Sequence, residues 1–441
     1  MSLPVNELKR MDAKQNIEKP TEADYLNCIR CGLCLAVCPT YQASWNEIAS
    51  PRGRVALARK NLEGQLELTP NLADQMNACF ACLACNDICP VGIRPAELTL
   101  SMRYVQEQIR PTGWKQALFG GLIPYPGRLE ASTLALRLYE RLGIRRLVYR
   151  LGIMRWLPRQ LRDLEAMLPH LPQRPLRQAL PERLEADGPA RYKVGFFLGC
   201  AQNLLFADES LAAVRVLKRN GCTVITPKQA QCCGMPARGY GRLDLVRAQA
   251  KHNIALFEQA GVEVIVTDCA TCGSTLKDYG SFFTGDPQWE ARAQAFSARV
   301  KDISEFLAEI PLEKPQGRIA GRVTYHDPCH LRRGQKVWQQ PRQLLGLIDG
   351  LEFVELPEAD WCCGSAGSQL ISHYQTSVKV MERKLDNLES TGAGIVASGC
   401  PGCQMQLNTA VRRRGLQVEV VHPITLLDRA YEAEHAKNTD R

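Results

Sequence analysis

The chain has 441 residues, 45% of them hydrophobic and 23% charged, with a formal net charge of +9 and nineteen cysteines. At roughly 150 residues per domain this length predicts about three structural units. The composition excludes a disordered or collagen-like chain, and the lack of any run of about 18 uninterrupted apolar residues excludes a membrane-spanning helix.

Residues 1–19 are polar and charged. A secretory leader is therefore not expected, and the cysteines read as metal ligands in a reducing cytoplasm and not as disulfides. Within the first predicted domain, 1–112, Cys28, Cys31, Cys34 and Cys38 precede Pro39 in the pattern C-x2-C-x2-C-x3-C-P, and Cys79, Cys82, Cys85 and Cys89 repeat it before Pro90. This is the bacterial ferredoxin run, in which three closely spaced thiolates wrap one [4Fe–4S] cube while the fourth cysteine, before the proline, reaches the other cluster. The pattern predicts one cluster on Cys28, Cys31, Cys34 and Cys89, and another on Cys79, Cys82, Cys85 and Cys38. Zinc also uses C-x2-C pairs, but takes four ligands from two pairs and does not call for the third cysteine or the C-P ending. Between the runs, Ser50-Pro51-Arg52-Gly53-Arg54 reads as a helix entry leading into 55–62. Arg52 and Arg54 read as solvated surface arginines, the alternative being that they raise the potential of a nearby cluster.

A connector is predicted over 113–190, built from short helices broken at Pro124, Pro126, Pro158, Pro169 and Pro172. It holds most of the excess charge: nine arginines (Arg128, Arg137, Arg141, Arg145, Arg146, Arg150, Arg155, Arg159 and Arg162) stand against Glu130 and Glu140. A basic helix over 134–157, carrying Leu, Ile, Val, Tyr and Trp156, offers peripheral contact to an anionic membrane surface or an acidic partner. The plainer alternative is an amphipathic helix packed on its own protein. Nucleic acid is not an expected partner.

Two copies of one cysteine pattern follow, predicted as domains 191–315 and 316–441. The first copy is Cys200, Cys232-Cys233-Gly234 and Cys269-x2-Cys272; the second is Cys329, Cys362-Cys363-Gly364 and Cys400-x2-Cys403. The intervals agree to one residue, 31 against 32 before the cysteine pair and 34 against 35 after the glycine. Strands are predicted over 193–198, 262–267, 322–325 and 394–397, each running toward a ligand cysteine, with helices over 211–218 and 243–257. Each copy thus reads as a small α/β unit with its site at the carboxyl ends of strands, and the two should face each other as pseudo-symmetric halves. Adjacent cysteines are poorly placed to hold one iron of an ordinary cube, so each pair is expected to bridge irons or span an opened cluster. The glycine after each pair permits a backbone that a side chain would block. Cys222 reads as a buried, unreactive thiol. His326 and His330 flank Cys329 and read as hydrogen-bonding or structural groups, since the repeat already supplies five cysteines. His252, His373 and His422 carry no motif. No glycine-rich dinucleotide loop, P-loop or nucleophile elbow is found, so flavin or nicotinamide on this chain is not expected.

The repeats resemble the cysteine-rich CCG domain of heterodisulfide reductases. Their fusion behind two ferredoxin runs is similar to the iron–sulfur subunits of glycolate oxidase and its lactate- and anaerobic glycerol-3-phosphate-oxidising relatives. The resemblance is carried by residues 28–40 (CIRCGLCLAVCPT), 50–54 (SPRGR), 79–90 (CFACLACNDICP), 327–330 (DPCH) and 362–367 (CCGSAG). It implies an α+β multi-domain fold, with a helical ferredoxin-like 2x[4Fe–4S] domain followed by two CCG repeats. It also implies an electron-transfer subunit that passes electrons from a partner flavoprotein, which oxidises a 2-hydroxy acid such as glycolate or lactate, to a quinone or another carrier. By motif match, Cys200, Cys232, Cys233, Cys269 and Cys272 would bind one noncubane [4Fe–4S] cluster, and Cys329, Cys362, Cys363, Cys400 and Cys403 another. In the glycolate oxidase subunits one repeat can lack part of its cysteine set, whereas both are complete here. That departure keeps an alternative open, a heterodisulfide-reductase-like catalytic subunit that reduces a disulfide at its cluster. A zinc-stabilised scaffold is the third class.

Overall fold

A computed structural model describes residues 18–166, 171–367 and 369–439. Residues 1–17, on which most of the leader-free reading rests, and the predicted break at Pro169 lie outside the described residues. The chain divides into two compact units. One comprises the N-terminal part to Gly121 with Gly234–Val246 and Gly364–Val380; the other comprises Leu122–Cys233, Arg247–Cys363 and Met381–Arg441.

The first unit is helical. Its core is built where helices Pro51–Leu62, Pro70–Asn77 and Pro95–Ile109 bury Val55, Ala58, Leu72, Met76, Met102 and Val105. Each large side chain so buried contributes about 1.5–3 kcal/mol. The first two helices start alike, with a hydroxyl N-cap followed by proline. Ser50 Oγ accepts from Gly53 N at 3.0 Å, and Thr69 Oγ1 accepts from Leu72 N at 3.2 Å. Proline at the first helical position loses nothing, because its N–H would be unpaired there. The helix predicted over 55–62 therefore begins four residues earlier.

The second unit holds two sheets. Strands β1 (Arg183–Leu184), β2 (Tyr192–Phe196), β3 (Cys222–Ile225), β4 (Val264–Thr267) and β5 (Val300–Asp302) form one sheet in the order β1-β3-β2-β4-β5. Strands β6 (Arg318–Tyr325), β7 (Asp349–Phe353), β8 (Ile395–Ala397) and β9 (Glu419–Val421) form the other in the order β7-β6-β8-β9. Apart from the antiparallel edge strand β1, every pairing is parallel. Setting β2 against β6, β3 against β7, β4 against β8 and β5 against β9 gives the same strand order in both, so the two repeats are pseudo-symmetric α/β halves. Their sheets share one apolar core in which Val194, Phe196, Val266, Val323 and Tyr325 are fully buried.

The basic segment differs from the single helix predicted over 134–157. It is three short pieces, Leu134–Arg141, Ile144–Arg150 and the 3-10 turn Ile153–Trp156. The breaks fall at Gly143 and Gly152, both at φ +70°. Glycine enters that left-handed region at little cost and ends a helix there. No helix among the described residues is long and apolar enough to cross a membrane.

Candidate metal centres

In both ferredoxin runs the middle cysteine lies between two left-handed residues, Arg30 (φ +56°) and Gly32 (φ +86°) around Cys31, and Ala81 (φ +49°) and Leu83 (φ +62°) around Cys82. Three of these four are not glycine, so the loop holds a conformation that costs on the order of 1–3 kcal/mol per residue and that clusters at ligand clamps. The fourth cysteine of the first run, Cys38, is the N-cap of helix Pro39–Ser44, which turns it away from its own loop. One cavity is lined by Cys38 together with Cys79, Cys82 and Cys85, and by Arg54, Phe80 and Pro95. A second is lined by Cys28, Cys31, Cys34 and Cys89, and also by Cys85, Arg52, Val55 and Ile93.

Arg54 is not a solvated arginine. It is 2% exposed, donates to Gln75 O at 2.9 Å and to Thr40 Oγ1 at 3.1 Å, and its Nη2 has no partner among the described residues. The SPRGR helix starts at Pro51, and its first turn therefore carries Arg54 inward beside Val55 while Arg52 stays at the rim, paired with Glu47 at 2.6 Å. A buried N–H left unpaired beside four thiols fits a cavity that takes an anionic group. Arg103, also buried, donates to the carbonyls of Met76 (2.8 Å) and Cys79 (2.6 Å), which fixes the entry to the second run. Burial pushes the Cys34 thiol up to about 11 and the Cys85 thiol well above the ordinary range. It also raises Cys38, against the opposing pull of Arg54 and the Thr40 hydroxyl. These sulfurs stay protonated until a metal displaces the proton.

Both CCG repeats place their cysteines beyond strand ends. Cys200 and Cys329 each stand four positions after the last residue of β2 and β6, and Cys269 and Cys400 are the N-caps of helices Ala270–Lys277 and Pro401–Arg414. In the first repeat Cys200 bonds to Cys232, and Cys272 to both Cys233 and Cys269; these bonds together with burial push Cys200 and Cys272 well up. Asn253 and the Tyr279 hydroxyl donate to the carbonyls of Cys232 (3.3 Å) and Cys233 (3.0 Å) and so hold the adjacent pair. In the second repeat Cys363 and Cys403 sulfurs are 3.3 Å apart, too far for a disulfide. Hydrogen bonding with Cys362 and Cys403 holds Cys363 well below the ordinary thiol range, and hydrogen bonding with Cys403 brings Cys400 to about 7. Cys329 stands at the head of the π-turn His330–Gly334. The two sites abut: the Thr271 hydroxyl, between Cys269 and Cys272, is 3.4 Å from Cys400 Sγ, and Ala270 N donates to Gly399 O at 2.9 Å.

The glycine after each cysteine pair is left-handed, Gly234 at φ +97° and Gly364 at φ +81°. At Gly364 a Cβ would lie 2.7 Å from Ser377 O. Cys222, by contrast, is a core residue of β3, with its thiol pushed up to about 12 by burial. Among the described residues, which include all nineteen cysteines, no disulfide is formed. Unoxidised thiols in clusters of four and five, most of them buried or half-buried and only Cys31 exposed, form a donor set that suits soft metal centres, so the residues fit iron–sulfur clusters. Sequence reasoning missed the burial of Arg54 and the approach of His326, whose ring nitrogen lies within 4.8 Å of both Cys363 and Cys403.

Three family models match four stretches of the chain. They are a 4Fe-4S dicluster domain over residues 24–93, the linker region of the glycolate oxidase iron–sulfur subunit over 110–168, and a cysteine-rich domain twice, over 194–277 and 323–408. The chain is 34% identical over 425 residues to a probable glycolate oxidase iron–sulfur subunit of Bacillus subtilis (strain 168), covering 93% of this chain and 95% of that protein. It is 30% identical over 434 residues to the glycolate oxidase iron–sulfur subunit of Escherichia coli (strain K12), covering 96% and 98%. It is 31% identical over 237 residues to lactate utilization protein A of Geobacillus sp. (strain WCH70), covering 54% of this chain and 99% of that protein.

Proposed function

Because the chain belongs to the family of glycolate oxidase iron–sulfur subunits, we propose that it relays electrons from a partner flavoprotein, which oxidises glycolate or lactate, to a quinone or another carrier. The observation that carries this reading is the exchange of fourth cysteines, with Cys38 lining the cavity of the second run and Cys89 that of the first. In this reading Cys28, Cys31, Cys34 and Cys89 hold one [4Fe–4S] cluster and Cys79, Cys82, Cys85 and Cys38 the other. The ten CCG cysteines hold one or two more, of the noncubane type.

When bound, such clusters take up and release one electron at a time. The chain's own residues bury most of the ligand sulfurs, though not those of Cys28, Cys31, Cys34 and Cys89, offset thiolate charge with Arg54 and Arg103, and hold the loops in left-handed turns. The protein works in the cytoplasm, and its connector rests on the inner face of the membrane. Leu134, Leu138, Leu147, Leu151 and Trp156 are all exposed there, Trp156 to 89%, beside exposed Arg141, Arg146 and Arg150.

A second reading, disulfide reduction, is favoured by a cavity that reaches Cys200 and Cys232 and is lined by Ile123, Leu129, Arg177 and Gln231. A disulfide entering it would need two electrons and two protons to leave as two thiols. Anaerobic purification from the native host, followed by glycolate, D-lactate, L-lactate or glycerol 3-phosphate, tests both. Bleaching of cluster absorbance by one substrate supports the relay. A reduced chain that no substrate bleaches and that a disulfide reoxidises supports the second reading. Cys82→Ser should stop electron flow while the partner's flavin remains reducible.

A further inference from the structure

His326 stands three residues before Cys329, at the place that Phe197 holds before Cys200 in the first repeat. Both side chains are buried, Phe197 completely and His326 to 99%, since its exposure is 1%. Phe197 fills its place as an apolar group should, stacked on Phe257 with ring centroids 6.0 Å apart. The imidazole in the matching place has no oxygen or nitrogen partner at either Nδ1 or Nε2 among the described residues. What it faces is sulfur: a ring nitrogen, Cys363 Sγ and Cys403 Sγ all lie within 4.8 Å of one another, and all three residues are buried.

The imidazole's hydrogen bond is to Cys363; sulfur is a weak partner, so the buried ring is only poorly satisfied, where a full loss would cost about 1–3 kcal/mol. The same three atoms lie close enough to converge on one metal ion, whose bonds of about 2.0–2.3 Å put tetrahedral ligands about 3.5–4 Å apart; the two sulfurs, now 3.3 Å apart, would part slightly to hold it. We propose that His326 is a nitrogen ligand to the metal centre of the second repeat, beside Cys363 and Cys403, whereas the centre of the first repeat is ligated by sulfur alone. This rests on the reading that each repeat holds an iron–sulfur centre.

The consequence is a difference between two sites that their cysteines make look alike. An imidazole bound to an iron in place of one of the five cysteines leaves that thiol protonated, removes one negative charge from the centre and so raises its potential. The second centre is therefore the easier to reduce. Since Thr271 of the first site touches Cys400 of the second, electrons pass downhill from the first repeat to the second across that contact.

The test uses the full chain purified anaerobically in three forms: wild type, His326→Phe, which copies the first repeat, and Cys362→Ser/Cys363→Ser, which removes the second centre. Mössbauer spectra of 57Fe-loaded protein record every iron whatever its spin state, and pulsed EPR of reduced wild type grown on 15N-histidine reports bound nitrogen directly. The expected result is an iron subsite in wild type that is absent from His326→Phe, and a nitrogen coupling that changes with the histidine label. The potential of one centre should also fall in His326→Phe, by at least tenfold in its reduction equilibrium, or 59 mV for one electron. If His326→Phe does not accumulate, His326→Gln, a poor iron ligand of similar polarity, takes its place. Unchanged spectra in the variant, with iron still bound at the second site, overturn the ligation. A double cysteine variant that loses no iron, or zinc in place of iron, overturns instead the cluster assignment beneath it.

Discussion

Arg54 and Cys38 share one hydroxyl: Thr40 Oγ1 accepts from Arg54 Nη1 at 3.1 Å and lies 3.2 Å from Cys38 Sγ. A positive charge is thereby fixed beside the cavity of Cys38, Cys79, Cys82 and Cys85. At a separation of about 7 Å and an effective dielectric of about 20, a unit charge contributes about 2 kcal/mol, or roughly 100 mV for one electron. Arg54→Gln should lower the potential of that cluster by this order and leave the other nearly unchanged. Redox titration followed by EPR measures both, and equal shifts would remove Arg54 from the site.

The exchanged cysteines predict a crossed pattern of damage. Cys38→Ser should disturb the cluster of Cys79, Cys82 and Cys85, although it lies in the first run, and Cys89→Ser the cluster of Cys28, Cys31 and Cys34. Each variant should lose or convert one cluster, about four irons or fewer per chain, as read by iron and sulfide analysis with EPR. If Cys38→Ser and Cys34→Ser damage the same cluster, the assignment is wrong.

Cysteine spacing and the strand-to-cysteine approach make the two repeats and the strands β2, β4, β6 and β8 legible, because spacing is a local property of the chain, whereas the order in which the strands pair depends on contacts distant in sequence and comes only from the fold. What spacing does not encode is which way a side chain turns. From sequence Arg54 reads as a solvated surface arginine, with an effect on a nearby cluster as the alternative, yet Ser50 and Pro51 start the helix early enough to bury it. From sequence His326 reads as a hydrogen-bonding or structural group beside a complete cysteine set; only folding brings it against Cys363 and Cys403, which lie 37 and 77 positions further on. In the connector, the arginines and leucines suggested one long helix, and two glycines at φ +70° decide otherwise.

Buried carboxyls predict a loss of stability toward alkaline pH. Desolvation raises Glu209 to about 8, against a bond from Gln404 Nε2 at 3.1 Å, and Asp302 to about 7. With folded values above the unfolded ones, both groups hold their protons in the folded chain after the unfolded chain has released them. Their contribution is thus fully present below about pH 4 and is lost as pH rises through 7 to 8. Glu209→Gln should flatten that decline, with a gain on the order of a few kcal/mol at pH 9 and little change at pH 4. Urea unfolding across pH 4–9 measures it, and parallel curves for both proteins would mean Glu209 is ionised throughout.

The exposed leucines of the connector predict binding to anionic lipid. Leu147→Glu/Leu151→Glu adds two charges to residues that are 54% and 63% exposed, so the fold should tolerate it. Sedimentation with phosphatidylglycerol vesicles should fall at least tenfold, since each apolar side chain contributes about 1.5–3 kcal/mol when buried. Binding that is salt-sensitive but indifferent to these substitutions would assign the contact to the arginines alone.

Glu130 ties the connector to the first repeat. It is 4% exposed and accepts from Arg177 Nε (2.7 Å) and Nη2 (2.9 Å), Gln178 Nε2 (2.7 Å) and Asn203 Nδ2 (2.9 Å). Burial works against its charge, but these four bonds win and hold the carboxyl below its ordinary value. Removing one member of such a pair strands the other, which costs about 3–5 kcal/mol, whereas replacing both with apolar groups is often neutral. Glu130→Ala should therefore speed proteolytic cleavage within 122–166 by a factor on the order of a hundred or more, and Glu130→Met/Arg177→Met should restore most of the resistance. Arg177 also lines the cavity at Cys200 and Cys232. A double variant that regains protease resistance but changes the cluster spectrum would show that Arg177 acts on the first site through its charge as well as through the clamp. An unchanged spectrum would leave it only the clamp.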